Sequence, residues 1–355
     1  MVSFIISIDT SYPMASNFFD LFLKEQFVKE SEVIVVVDGC NNLFVHTLLE
    51  NLTSQTPNLK VFYKDKMGYG AANNFGVKMS SGKYLFFINS DIFASSSCYQ
   101  KMLLSLESGQ VECVQPLLLY PQTNTVQCAG TFFGPYFKNH LFAGNYAHTP
   151  VVQESGSRQA LTSALYAMPK DIFLEYGGFD EFYFNKLESF ELSYKLTLNG
   201  HRCQYLADAV AYHSHGAGRG QYSFDFQQQE AYFWSHFGET VNPDICIYLE
   251  KQITRSMQAH SYSAIILNQI RSWPQILRQL PLSFSHIHEK SLTPNSEINL
   301  FDILPSSFLS DPMPLAFVTS NIAQMRGNKF WMQLRNNPYD IILDNYANLI
   351  SASDL

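Results

Sequence analysis

Four short runs of β-branched and aromatic residues open the chain: "VSFIISI", "EVIVVVD", "LKVFY" and "KYLFFIN". Stretches of helical length with an apolar face separate them. This alternation predicts βαβ units, and the unbroken apolar runs predict a parallel sheet covered on both faces. From Val111 to Tyr212 strand and helix signals mix less regularly, with loops rich in Gly, Pro and aromatic residues. After Ser223 the pattern becomes helical, first in "FDFQQQEAYFWSHFG" and then in "DICIYLEKQITRSMQAHSYSAIILNQIRSWPQILRQL". A Ser/Pro-rich connector between Pro281 and Pro314 leads to a tail that reads strand–helix–strand: "LAFVTS", "NIAQMRGNKFWMQLRNN" and "YDIILDN". No internal repeat is evident.

Open sheets of this kind bind ligands beyond the carboxyl ends of their strands. The residues just after each run therefore carry most interest: Asp9-Thr10, Asp38-Gly39, Lys64 to Met67, and Asn89-Ser90-Asp91. Asp91 ends a run of four apolar residues. It either helps hold a hard divalent cation or a ribose, or caps the helix that starts near Ser95. Asp38, in "VVVDGCNN", either accepts the imide N–H of a pyrimidine base or forms a turn with Gly39. In "KMGYGAANNFGVKMSSG", Gly68, Gly70 and Gly76 surround a helix start, a place that suits anions. No Gly-Lys-Ser/Thr follows, so it is not a P-loop.

Two later stretches add candidates. "YHSHGAG" puts His213 and His215 on one side of an extended segment, ahead of a Gly-rich loop with Arg219. Imidazole suits a transition metal and a guanidinium suits a pyrophosphate. "GGFDEFYFNKLESFELSYKLTLNG" carries Asp180, Glu181, Glu188 and Glu191. Glu188 and Glu191 share a helix face; they supply a general base or simply favour the helix dipole.

Composition narrows the field. The chain has 355 residues, 46% of them apolar, enough for one large domain with an appendage or two modest ones. Net charge is −8 and Lys and Arg form no block, which argues against nucleic acid as a partner. The six scattered cysteines read as reduced thiols, and with no signal-like N-terminus or long apolar run the expectation is a soluble, cytoplasmic protein. Peripheral membrane contact is left open.

Taken in order, these motifs resemble the family-2 glycosyltransferases, the inverting group with the GT-A fold, and especially the rhamnosyltransferase-like branch. The matches are "VSFIISIDTSYP", "EVIVVVDGCNN", "MGYGAANNFGVKMSSGKYLFFINSD", "TSALYAMPKDIFLEYGGFDEFYF", "LESFEL" and "DAVAYHSHGAG", across residues 1 to 240. The resemblance implies a three-layer α/β/α domain over 1–223 with a mixed, mostly parallel sheet. A helical extension (224–290) and a C-terminal segment without an assigned role (291–355) would follow.

By the same resemblance Thr10 and Asp38 hold the base, and Gly68, Asn74, Asn89, Asp91 and Arg219 line the nucleotide-sugar. Asp91 and His213, with His215 as second choice, bind Mn²⁺ or Mg²⁺, while Asp180 and Glu181 face the acceptor. The implied partners are a UDP- or dTDP-sugar and a glycan, lipid-linked or protein acceptor, as in polysaccharide synthesis. One departure matters: Glu188-Ser189 stands where the family has Glu-Asp, with the Asp as base. Either Glu188 or Glu191 takes that role, or the protein is a degenerate nucleotide-sugar-binding scaffold. A nucleotidyltransferase would want early basic residues to grip a triphosphate, and "SIDTSYPMASN" has none.

Overall fold

A computed structural model of the chain describes residues 1–135, 137–214, 226–256, 261–267, 272–290, 298–320 and 322–355. They divide into two compact units, Met1–Thr131 with Val152–Val241, and Phe132–Val151 with Asn242–Leu355.

The first unit is built on β1 (Val2–Ile8), β2 (Glu32–Asp38), β3 (Leu59–Lys64), β4 (Tyr84–Ile88), β5 (Ile92–Ala94), β6 (Cys113–Leu119) and β7 (Val126–Cys128). β10 (Gly156–Ser157), β11 (Leu165–Pro169) and β12 (Cys203–His213) complete it, while the separate pair β8 (Thr131–Gly134) and β9 (Phe137–His140) falls, from Phe132 on, with the second unit. The sheet runs β10-β12-β6-β11-β4-β1-β2-β3, with β5 against β12 and β7 against β6. β1 pairs in parallel with β2 and β4, β2 with β3, and β6 with β12; β11 runs antiparallel between β4 and β6. It is therefore mixed and mostly parallel, as expected.

Alternate residues of the apolar runs point to opposite faces. Phe4, Ile6, Ile8, Val35 and Phe86 meet the helices Tyr12–Phe22, Leu43–Gln55 and Ser96–Glu107. Ile5, Ile34, Val36 and Phe87 meet the helices Tyr69–Met79 and Glu188–Leu198. Gly76 permits the close approach of helix Tyr69–Met79, since a Cβ there would lie 2.6 Å from Ile5 Cγ2. Local signals agree: Asn42 caps helix Leu43–Gln55 by accepting from the Phe44 and Val45 N–H groups.

Chain order sets the ligand crevice. From β1 the chain steps outward to β2 and β3, then returns to place β4 on the other side of β1. The switch point thus falls between β1 and β4, where Asp9, Thr10, Asn89 and Asp91 leave their strands. At the opposite end of the sheet Glu32 is held by Lys60, Ser3 and Ser81.

The second unit holds β13 (Ser261–Ile266), β14 (Ser283–Glu289), β15 (Leu315–Thr319), β16 (Ile341–Asp344) and β17 (Leu349–Ser351) in the order β14-β13-β15-β16-β17. Every pair is parallel except β16–β17. Ile265, Phe317 and Ile342 pack against Trp331 and Met325. The buried Arg335 guanidinium binds Asp340 through Nε at 2.5 Å and also donates to the Asp311 and Met313 carbonyls.

These bounds differ from the expected 1–223, 224–290 and 291–355. The helix Phe226–Phe237 belongs with the first unit, residues 132–151 with the second, and the expected helical extension contains β13 and β14. "SYSAII" is a six-residue run flanked by helical pattern, and only its pairing with β14 and β15 makes it a strand. The expected connector holds β14 and two one-turn helices, while the strand–helix–strand tail appears as read. No described helix is long and apolar enough to cross a membrane, and all six cysteines are free thiols.

Candidate active site

At the end of β4, the Asn89 N–H donates to the Ala164 carbonyl (2.9 Å) and the turn closes with Ile92 N–H on Asn89 O (3.1 Å). Asp91 does not cap the next helix. Glu25 does so, its Oε2 accepting from Ser96 N at 2.5 Å and Ser96 Oγ at 2.7 Å. Asp91 instead meets His213: β5 pairs antiparallel with β12 so that Ile92 opposes His213, and His213 Nε2 lies 3.1 Å from Asp91 Oδ1. Both residues are buried.

Gln127, on β7, sets the imidazole. Its Nε2 donates to the His213 carbonyl at 3.4 Å, which turns Oε1 toward His213 Nδ1 at 2.5 Å. Nδ1 is thereby the donor. In the neutral ring Nε2 and Asp91 Oδ1 are then two acceptors facing each other, an arrangement a cation relieves. The donor set, one carboxylate and one imidazole, fits Mn²⁺ or Mg²⁺ that takes its other oxygens from a diphosphate. The described residues contain no cluster of three or more His, Cys, Asp or Glu suited to a metal. His215 and Arg219 lie outside the described residues.

Asp38, at the end of β2, is buried and engaged. Oδ1 accepts from Met67 N at 2.6 Å, Oδ2 accepts from Gly68 N at 3.2 Å, and Lys66 Nζ lies 3.0 Å from Oδ2. Lys66 also bridges to Asp9 at 2.7 Å. Asp38 thus organises the Lys66–Gly68 turn, where the sequence suggested a base acceptor. Gly68 opens the next helix at φ +91°, with its N–H held by Asp38, and a Cβ there would lie 2.8 Å from the Phe184 carbonyl. Thr10 is buried, its hydroxyl 3.5 Å from the Met14 sulfur.

Asn74 is engaged by the 178–181 turn. Its amide donates to Phe179 O (2.8 Å) and Glu181 Oε1 (3.1 Å) and accepts from Phe179 N (3.0 Å). It clamps the 178–181 turn to the helix Tyr69–Met79. In that turn Asp180 accepts from Phe182 N (2.9 Å) and from the Tyr232 hydroxyl (3.1 Å), while Glu181 is exposed.

Glu188 begins the helix Glu188–Leu198 and is 2% exposed. Its Oε1 has no hydrogen-bond partner, and burial pushes the carboxyl up to about 8. A Cβ on Gly70 would lie 3.2 Å from Glu188 Cγ and 3.4 Å from Asp180 O, so the acid and the 178–181 turn adjoin. Glu191 is also buried but pairs with Lys195 one turn on. Tyr183 lies beside Glu191, and Tyr232 beside Asp180. Burial, then the Glu191 carboxylate, holds the Tyr183 hydroxyl well above its ordinary range. Gln127, Lys66 and Tyr232 were not singled out from the sequence; only Lys66 lay in a strand-end stretch marked by position.

Residues 21–159 match the family model of glycosyl transferase family 2. The match spans 139 of the 355 residues, most of them in the first unit. The O-antigen biosynthesis protein RfbC of Myxococcus xanthus is 27% identical over 226 residues, 61% of this chain and 18% of that protein. The uncharacterized glycosyltransferase EpsJ of Bacillus subtilis is 25% identical over 114 residues, 32% of this chain and 33% of the relative. The chain thus matches only a fifth to a third of the length of either relative.

Among solved structures, GalNAc-T7 with UDP, GalNAc and Mn²⁺ superposes with a TM-score of 0.54 at 14% identity, covering 80% of this chain and 55% of that one. S. aureus TarS 1–349 with UDP-GlcNAc gives 0.51 at 16% identity, covering 72% and 73%. At these identities the likeness is one of fold, and the fold is GT-A.

Proposed function

We propose that the chain transfers a sugar from a UDP- or dTDP-sugar to an acceptor hydroxyl, with inversion. The observation that carries this reading is Glu188: a buried carboxyl with an unpartnered oxygen and a raised proton affinity, beside the turn that bears Asp180. Such a group suits a general base. As the acceptor oxygen bonds to the anomeric carbon, its proton passes to Glu188 Oε1. The bond from that carbon to the diphosphate breaks on the opposite face, which inverts the centre.

Asp91 and His213 would hold the divalent ion, which supplies positive charge to the departing diphosphate. Gln127 keeps His213 in the tautomer that directs Nε2 to the ion. Asn89 joins Asp91 on the donor floor; Thr10 bounds the base, with Asp38 acting through the turn it fixes. Asp180 and Glu181 lie on the acceptor side. A role in polysaccharide assembly accords with the O-antigen biosynthesis protein among the relatives the chain matches.

The test is turnover of a UDP- and dTDP-sugar panel by purified protein, with and without Mn²⁺, for wild type and Glu188→Gln. Metal-dependent release of the nucleoside diphosphate that falls sharply in Glu188→Gln is expected. Tight metal-dependent binding with no turnover of any sugar would replace this reading by a nucleotide-sugar-binding scaffold, which Ser189 at the family's usual Asp position favours.

A further inference from the structure

We propose that the second unit carries a saccharide-binding site of its own, for a sugar bearing a carboxylate or a phosphate. A cleft of about 820 Å³ opens beside β16 and β17, within the range of small-ligand sites. Its walls present aromatic faces. Tyr146 is 44% exposed and stacks on His148, with centroids 5.4 Å apart and planes 16° apart, and Tyr339 is 41% exposed. Exposed rings at a cleft mouth offer the flat apolar surface that the C–H face of a pyranose covers.

The polar groups favour an anionic sugar. The Arg326 guanidinium lies 5.0 Å above the Tyr146 ring, and one of its five N–H groups donates to the Gly144 carbonyl at 2.9 Å. That bond holds the side chain in place, and no carboxylate of the described residues pairs with it. A guanidinium fixed in this way suits a carboxylate or phosphate. Tyr262, 2% exposed, also lines the cleft, and its hydroxyl bonds to none of the described residues. Asp354 at the rim can accept from sugar hydroxyls.

A nucleotide fits less well, because the two amides that would read a base edge are engaged. Asn145 bonds to Asn348, the Tyr146 N–H and Thr149, and Gln252 bonds to Ala347 O and Leu349 N. What remains is aromatic face, hydroxyl, guanidinium and the Asp354 carboxylate at the rim, which is a sugar's complement.

The test is calorimetric titration of the full chain. The probes are a tetrasaccharide of alternating glucuronate and N-acetylglucosamine, its carboxyl-reduced counterpart, and mannose 6-phosphate. One of the two anionic sugars is expected to bind, and which one does identifies the anion; the reduced tetrasaccharide is not. Arg326→Gln should weaken binding about tenfold, the size of one charge-assisted hydrogen bond. Tyr339→Ala, at an exposed ring, should weaken it without altering the melting curve. Failure of both anionic sugars to bind, unchanged affinity in both variants, or displacement by saturating UDP would each overturn the proposal. UDP-sugar turnover, read separately, bears on the first unit and is expected to be unchanged in both variants.

Discussion

His213 presents Nε2 to Asp91 Oδ1 at 3.1 Å across the β5–β12 pairing, with its other nitrogen held by Gln127. Three segments separated in the chain thus converge on one carboxylate–imidazole pair. If this pair holds the metal, Asp91→Ala and His213→Leu should abolish Mn²⁺-dependent binding of UDP while leaving the circular dichroism spectrum unchanged. Gln127→Leu touches no ligand, yet should weaken Mn²⁺ about 10- to 100-fold by releasing the imidazole. Calorimetry that finds unaltered Mn²⁺–UDP affinity in all three variants would remove the pair from the donor site.

Glu188 predicts a pH profile. Burial raises its carboxyl to about 8, and a base must be deprotonated to act, so the transfer rate should rise with pH to a midpoint near 8. Glu188→Gln should cost on the order of 10²–10⁴ in rate with little change in donor KM, and flatten that rise. The linked stability effect has a definite sign. A carboxyl raised in the fold stabilises fully below its ordinary value of 4.5, and that stability is lost as pH rises through about 8. Glu188→Gln should therefore melt above wild type at pH 9 and close to it at pH 4.

Glu32 predicts the reverse. Burial opposes its ionisation, but Lys60, Ser3 and Ser81 outweigh it and hold the carboxyl at about 2. A depressed carboxyl contributes stability above its ordinary 4.5, lost as pH falls from there toward 2. Glu32→Gln should lower the melting temperature at pH 7 and narrow the gap to wild type as pH approaches 2. Donor binding, at the other end of the sheet, should not change.

The sheet was legible because β1, β2 and β4 are covered on both faces and read as unbroken apolar runs, and their ends located Asp91 and Asp38 by position alone. What each carboxylate does there depends on partners far along the chain. Asp38 meets the N–H groups of Met67 and Gly68, which no local pattern announces. The pattern around Asn74 gives its helix but not the partners that helix meets. Asn74 proves to be a clamp on Phe179 and Glu181. Gln127 sits in "TVQCAG", a three-residue strand with no periodic signal, and only folding brings it to His213.

Arg335 anchors the second unit. Its side chain is fully buried, paired with Asp340 and bonded to the carbonyls of Asp311 and Met313. Removing one partner of a buried pair leaves an uncompensated charge, about 3–5 kcal/mol. Arg335→Ala should therefore lower the melting of the second unit, measured by hydrogen exchange of β15 and β16. Exchange in β1 and β2 is expected to stay at the wild-type rate, and equal loss in both sheets would count against two separately stabilised units.

Ser189 decides between an enzyme and a degenerate one. It follows Glu188 in the first turn of the helix, is 3% exposed, and its carbonyl accepts from Ser193 Oγ at 2.7 Å. Consecutive helical residues project about 100° apart. Glu188 is directed toward Gly70 and the Asp180 turn, so position 189 points elsewhere, into the packed interior. An Asp there would be a third buried carboxylate beside Glu188 and Glu191, and Ser189→Asp should lower the melting temperature without raising the transfer rate. Added to Glu188→Gln, it should fail to restore turnover. If instead Ser189→Asp alone raises the rate tenfold or more, and Glu188→Gln leaves the wild-type rate unchanged, position 189 is where the base belongs. The natural serine would then mark a chain that binds nucleotide-sugar and has lost efficient transfer.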